Sequence, residues 1–127
     1  MKILIIFIMI INIYADDVYI YNHGKKMFLI PLVQTTRDVS NNQVHFFLVK
    51  NRNTTIGIDS KVIVKFKQEV DINDILKQYT VFKQLSKSTF VLKAKDTTQA
   101  ISIANQLTQS GQVVYAQPNI YRKPLLR

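Results

Sequence analysis

Along residues 61–116 the spacing of apolar residues alternates between two residues, as in a strand, and 3.6 residues, as in a helix. The order of these segments limits the folds that the chain can adopt. Strands are predicted over residues 61–67, 80–85, 89–93 and 113–116, and helices begin at Asp71 and Asp96. The resulting order, β-α-β-β-α-β, is that of a ferredoxin-like α+β domain, in which two helices cover one face of an antiparallel sheet. The other face is then left for solvent, for the preceding residues or for a partner.

The ends of both predicted helices are marked by residues that satisfy free backbone groups. Asp71 and Asp96 stand where an N-cap is needed, and Gln99 follows Asp96 at the spacing of a capping box. Gly111 stands where a helix commonly ends in a left-handed residue. The apolar positions of one helical face are Ile72, Ile75, Leu76 and Tyr79 in the first helix and Ala100, Ile103, Ala104 and Leu107 in the second. Pro118 is expected to end the last strand.

Residues 16–58 form a predicted N-terminal β-hairpin extension. Residues 18–32 and 44–58 each contain two β-rich runs around a turn-forming segment, and Gly24 can supply the positive φ that the first turn needs. Residues 34–43 are polar and without a period, which favours a surface loop.

Residues 1–15 are typical of a signal peptide. Lys2 precedes an apolar run of about eleven residues, which is too short to span a bilayer, and the small residue Ala15 precedes two aspartates. We expect cleavage after Ala15 and a periplasmic or secreted product with no membrane contact afterwards. An uncleaved membrane anchor is the alternative. The chain has no cysteine, which favours bacterial export over a disulfide-bonded secreted module.

The sequence offers no set of residues for catalysis, metal binding or cofactor binding. His23 and His45 have no second ligand at metal spacing, no serine lies in a nucleophile elbow, and the glycines are too far apart for a phosphate loop. An enzyme is therefore not expected. The predicted strand 89–93 has a single aromatic residue and lacks the glycine of the RNP motif in RNA-recognition domains. Together with the predicted export, this argues against nucleic-acid binding.

The net charge of +9 comes from basic residues that are dispersed along the chain rather than gathered in a block. A solvated basic surface and a basic patch for an acidic partner both stay open on the sequence alone.

Three segments resemble the fervidolysin-type N-terminal propeptide of bacterial subtilisin-like serine proteases, an inhibitor family with a ferredoxin-like fold. Residues 18–31 are similar to its opening hairpin, with a Gly-Lys-Lys turn and a strand that ends in proline. Residues 57–67 are similar to its first core strand, and residues 113–120, with Tyr-Ala-Gln-Pro-Asn, to its closing strand. The resemblance covers nearly all of the chain after the signal peptide.

The resemblance implies a partner, a subtilisin-like serine protease that the chain would inhibit, help to fold, or both. In the family the sheet packs on the protease and the C-terminal tail lies in the substrate cleft. Four segments follow: signal peptide 1–15, hairpin extension 16–58, propeptide core 59–117 and cleft-binding tail 118–127. The implied partner-binding residues are Tyr115, Gln117, Pro118, Asn119, Ile120, Tyr121 and Leu125. Gln117 and Asn119 stand where the family often has acids.

The sequence ends at Arg127, where the family would continue into a linker and a catalytic domain. A separately encoded propeptide, a dedicated inhibitor and the remnant of a truncated protease gene are all open interpretations. A non-catalytic envelope interaction protein is the alternative from another class. A monomer is expected when no partner is bound.

Overall fold

The computed structural model describes residues 18–32, 37–39 and 42–122. The signal peptide predicted over residues 1–15 and the site residue Leu125 lie outside these residues. The described chain is α+β. Its strands are β1 (Val18–Asn22), β2 (Lys25–Pro31), β3 (Arg37–Val39), β4 (Asn42–Val49), β5 (Thr54–Phe66), β6 (Thr80–Gln84), β7 (Thr89–Lys93) and β8 (Val113–Arg122), and its helices are α1 (Ile72–Leu76) and α2 (Thr97–Ser110).

The strands pair antiparallel throughout, in the order β1-β2-β4-β5-β7-β6, while β8 pairs with β5 and the short β3 pairs with β4. The strand β5 organises the sheet because its first half pairs with β4 and β8 and its second half with β7 and β8. It continues without a break through Ile58, where the sequence places the end of the hairpin extension. Extension and core thus share one sheet, and their division into separate domains stays a prediction.

The main hydrophobic core lies between the helices and one face of β5, β7 and β8. Val62, Val64 and Leu92 are fully buried there, and Phe66 packs edge-on against Phe90 at a ring-centroid distance of 6.0 Å. Both helices contribute to this one cluster, α1 through Ile75 and α2 through Ala100, Ile103, Ala104 and Leu107. The predicted helical faces are therefore the faces that are buried.

The predicted starts of both helices and the predicted end of α2 are confirmed, whereas α1 ends at Leu76, before Tyr79, which was expected on its apolar face. The Asp71 carboxylate accepts a hydrogen bond from the Asp74 amide at 3.3 Å, and the Asp96 carboxylate accepts one from the Gln99 amide at 2.8 Å. The Gln99 side-chain oxygen accepts from the Lys95 amide, one residue before the position that a capping box uses. Gly111 ends α2 with a φ of 76°.

The hairpin extension has its own apolar cluster, and α2 joins it to the main core. Ile20, Leu29, Phe47, Val49, Ile56 and Ile58 pack together with Ile101 of α2. The Asn105 side-chain amide of α2 also donates to the backbone oxygen of Tyr19 at 2.9 Å. The predicted β1–β2 hairpin is confirmed, and its turn holds His23 and Gly24 at φ values of 52° and 80°.

The structure corrects two expectations about strands. The segment 34–43 was expected to be a loop, but it contains β3 and the start of β4, which pair through their backbones. The sequence has no hydrophobic period there that would indicate these strands. Pro118, expected to end the last strand, lies inside the ten-residue β8. Three residues of β5, 59–61, lie opposite Asn119 alone, and a proline is tolerated at such a bulge because the ladder is already interrupted there.

Gly57→Ala is expected to lower the free energy of unfolding by about 1–3 kcal/mol, as judged by urea denaturation. A Cβ at residue 57 would lie 2.6 Å from Cγ1 of Val44 and 3.0 Å from Cε1 of Phe46. Val44 is 1 % exposed and has a stiff, branched side chain, so it has little room to move. The double variant with Val44→Ala should lose less stability than the sum of the two single variants. A neutral Gly57→Ala variant would contradict this packing.

Candidate functional site

The face of the sheet opposite the helices is lined by side chains that alternate with the buried core residues of β5, β7 and β8. Lys61, Ile63 and Lys65 of β5 alternate with the fully buried Val62 and Val64. We call this surface the open face; its residues are Lys61, Ile63, Lys65, Phe82, Lys83, Val91, Lys93, Tyr115 and Gln117. All of them are half-buried or exposed.

The open face combines apolar groups with positive charge. Phe82 is 52 % exposed and Tyr115 is 43 % exposed, so the apolar surface of both rings is accessible on this face. The Lys61 ammonium lies 4.2 Å from the centre of the Phe82 ring, a cation–π contact that holds both side chains over the sheet. The face carries four lysines and no acid among its residues, so it suits a partner with an apolar centre and acidic groups around it.

The structure separates the predicted partner-binding residues into three groups. Tyr115 and Gln117 lie on the open face, opposite Lys65 and Ile63 of β5. Pro118 is buried opposite Val62, and Ile120 packs against the cluster of the hairpin extension. The remaining two described residues, Asn119 and Tyr121, donate hydrogen bonds to a carboxylate of their own chain. A role toward a partner stays a prediction for all six described residues.

That carboxylate belongs to Asp59, which is fully buried and which the sequence reasoning missed. Its Oδ1 accepts from the Lys61 amide at 2.9 Å. Its Oδ2 accepts from the Asn119 side-chain amide at 3.0 Å and from the Tyr121 hydroxyl at 2.9 Å. We call Asp59, Asn119 and Tyr121 the Asp59 cluster. The available signal was the acid itself, which together with Ser60 and Lys61 separates the apolar residues 62–64 from residues 56–58.

The Asp59 cluster holds the second half of β8 against β5. Asp59 is the first residue of the bulge in β5. The carbonyl of the next residue, Ser60, accepts a hydrogen bond from the Ala94 amide at 2.7 Å. Around this bulge the side-chain bonds from Asn119 and Tyr121 supplement the backbone ladder. A buried carboxylate with three hydrogen bonds stabilises one strand register over its neighbours, because a slip would leave the carboxylate buried without these donors.

The pKa of Tyr121 is raised above its ordinary value of 10.0, first by burial and then by the hydrogen bond to, and the charge of, Asp59. The folded state therefore keeps this proton at a pH where the unfolded chain begins to lose it. The resulting stabilisation is fully present below about pH 10 and is lost as the pH rises through the folded-state pKa.

Above about pH 10, the free energy of unfolding should therefore fall more steeply in the natural chain than in Tyr121→Phe, as urea denaturation across an alkaline series will show. The variant controls for the lysines and the other tyrosines, which both proteins share. Parallel slopes above that pH would contradict the assignment.

The described residues form a small α+β domain whose open face lies on the side of the sheet opposite its helices. Within residues 18–32, 37–39 and 42–122, no group of three His, Asp or Glu side chains could hold a metal ion. In the same described ranges no helix is both long and apolar enough to cross a membrane.

The family model of the fervidolysin N-terminal prodomain matches residues 58–119. This match confirms the resemblance to a fervidolysin-type propeptide over residues 58–119, which include α1, α2 and all residues of the open face, while the likeness of residues 18–31 to the opening hairpin stays a prediction. No curated protein and no solved structure matches the chain.

Proposed function

We propose that the chain is a propeptide-like protein that binds a subtilisin-type serine protease through the open face and acts as inhibitor, folding chaperone or both. The observation that carries the proposal is the coincidence of the family match with the open face: the matched residues 58–119 include every residue that forms it. The spatial strand order β6-β7-β5-β8 of this segment, with both helices on one face, supports a ferredoxin-like core.

The open face supports binding on physical grounds. Phe82 and Tyr115 lose little conformational entropy on association, because an aromatic side chain has few rotatable bonds, and they bury a large apolar area. The lysines around them favour approach of a partner with negative potential at that surface. Export after cleavage at Ala15, to the periplasm or the medium, is part of this proposal because the partner would be an exported protease.

We propose a later start for the cleft-binding tail than residue 118. Residues 118–122 are paired with β5 or bonded to Asp59, so entry into a protease cleft would require them to leave the sheet. We therefore assign cleft binding to the segment that follows Arg122, which includes Leu125. An extended segment can add to the enzyme as a strand through main-chain hydrogen bonds.

The test is an inhibition assay with the purified chain and a subtilisin-type protease from the same organism, followed by refolding of the denatured protease with and without the chain. Slowed peptide hydrolysis indicates an inhibitor, and a higher yield of active protease indicates a chaperone. If the chain folds cooperatively but neither inhibits the protease nor raises its refolding yield, the proposal is contradicted. This result would favour a non-catalytic envelope interaction protein.

A further inference from the structure

A basic groove lies between the turns of two neighbouring hairpins, away from the open face. It is formed by the β1–β2 turn and the β4–β5 turn and has a volume of about 500 Å³. We call it the hairpin groove; the residues used below are His23, Lys25, Lys26, Lys50, Asn51 and Arg52. The proposed function does not use it, since the open face belongs to β5, β6, β7 and β8.

The groove exists because β2 and β4 pair over only part of their length. Their register runs from Leu29 to Pro31 on β2, and the last bond joins the Lys50 amide to the Phe28 carbonyl at 3.0 Å. Before residue 28 the strand β2 stays paired with β1 alone. The β4–β5 turn and the start of β2 therefore face each other across an open space instead of a ladder.

The groove concentrates positive charge that is dispersed in the sequence. Lys25, Lys50 and Arg52 come from two turns that are about 25 residues apart, and the fold brings them to one concave surface. Lys26 also lines the groove, with its ammonium 4.6 Å from the centre of the Tyr19 ring. No acidic residue is among the described residues that line it, so these cations have no carboxylate partner inside the groove.

The backbone that carries these cations is fixed before any ligand arrives. The Arg52 amide donates to the Val49 carbonyl at 3.2 Å, and the Arg52 carbonyl accepts from the Thr54 hydroxyl at 3.1 Å. Asn51 on the same turn and His23 on the opposite turn adopt positive φ values of 72° and 52°, as tight turns require. A turn whose backbone is already ordered by its own hydrogen bonds lowers the entropy that a ligand must overcome on binding.

We infer that the hairpin groove binds a phosphate-bearing ligand. A guanidinium can bind phosphate oxygens in a bidentate manner, and two or three ammonium groups match the double negative charge of a phosphate better than the single charge of a carboxylate. The phosphate can belong to a soluble molecule or to a lipid headgroup, and the experiment distinguishes these sources.

The test titrates the purified full chain with inorganic tripolyphosphate at low ionic strength and follows backbone amide chemical shifts by NMR. Shifts centred on the two turns are expected, and Lys50→Gln/Arg52→Gln should weaken binding by about tenfold. The matched control, Lys67→Gln/Lys87→Gln, removes the same charge from exposed lysines outside the groove and should weaken binding less than about twofold. Thermal unfolding checks that both variants fold.

A second arm uses vesicles of phosphatidylglycerol, with phosphatidylcholine vesicles as reference. Binding to phosphatidylglycerol that tripolyphosphate displaces and that Lys50→Gln/Arg52→Gln loses assigns the phosphate to a lipid headgroup. Tripolyphosphate binding without such vesicle binding assigns it to a soluble ligand. No tripolyphosphate binding, equal losses in the two double variants, or shifts centred on the open face would overturn the inference.

Discussion

Asp59→Ala is expected to lower the free energy of unfolding by about 3 kcal/mol, one of the largest effects of any single polar substitution in this chain. The carboxylate is fully buried and accepts hydrogen bonds from Lys61, Asn119 and Tyr121. Its removal leaves a backbone amide, a side-chain amide and a hydroxyl without their acceptor, and it loosens the bulge that admits Pro118 into β8. Urea denaturation monitored by circular dichroism measures the loss.

Three further variants separate the hydrogen bonds of the Asp59 cluster from simple packing. Asp59→Asn keeps the size of the side chain but replaces one acceptor oxygen by a donor, and it should cost nearly as much as alanine. Tyr121→Phe removes one donor and should cost about 1 kcal/mol. The double variant Asp59→Ala/Tyr121→Phe should lose less than the sum, because the two residues share one bond. A loss below about 1 kcal/mol for Asp59→Ala would contradict a structural role.

Phe82→Ser is expected to weaken inhibition of a subtilisin-type protease by at least about 30-fold, while it changes the free energy of unfolding by less than about 1 kcal/mol. Phe82 projects from the open face at an edge strand, and more than half of its surface is exposed. Its apolar area is therefore available to a partner and adds little to the core. Inhibition constants for the two proteins, measured with a peptide substrate, check the ratio.

Val81→Ser is the matched control for Phe82. Val81 is the preceding residue of β6 and is 41 % exposed, but it pairs with the buried Leu92 and so projects toward the helix side of the sheet. We expect its inhibition constant to stay within about threefold of the natural chain. If both variants inhibit equally well, the open face is not the contact surface. If both fail equally, a general loss of fold explains the effect, and unfolding curves will show it.

The features predicted correctly from the sequence are those that a few neighbouring residues determine. Asp71, Asp96 and Gly111 act on backbone groups within four residues of themselves, so their types and spacing were sufficient to place the starts of α1 and α2 and the end of α2. The β1–β2 turn followed in the same way from Gly24.

The features that sequence reasoning missed depend on pairing between distant residues. Pro118 ends a strand when its ladder is regular, but the bulge around Asp59, which lies about 60 residues earlier, removes that constraint. The dispersed charge of the hairpin extension likewise gave no sign of the hairpin groove, since Lys25 and Arg52 meet only after β2 and β4 pair. A second sheet face was expected, with solvent, the preceding residues or a partner against it, but which apolar residues it exposes depended on the bulge in β6 between Val81 and Lys83.

The most direct test of the account is oxidative footprinting of the chain with and without a subtilisin-type protease whose catalytic serine is replaced by alanine. Hydroxyl radicals modify exposed aromatic side chains, and mass spectrometry reads each of them. Contact through the open face predicts that the protease protects Phe82 and Tyr115, while Phe28, which is 39 % exposed on the hairpin extension, reacts as before. Unchanged modification of Phe82 and Tyr115 at saturating protease, or protection of Phe28 instead, would contradict it.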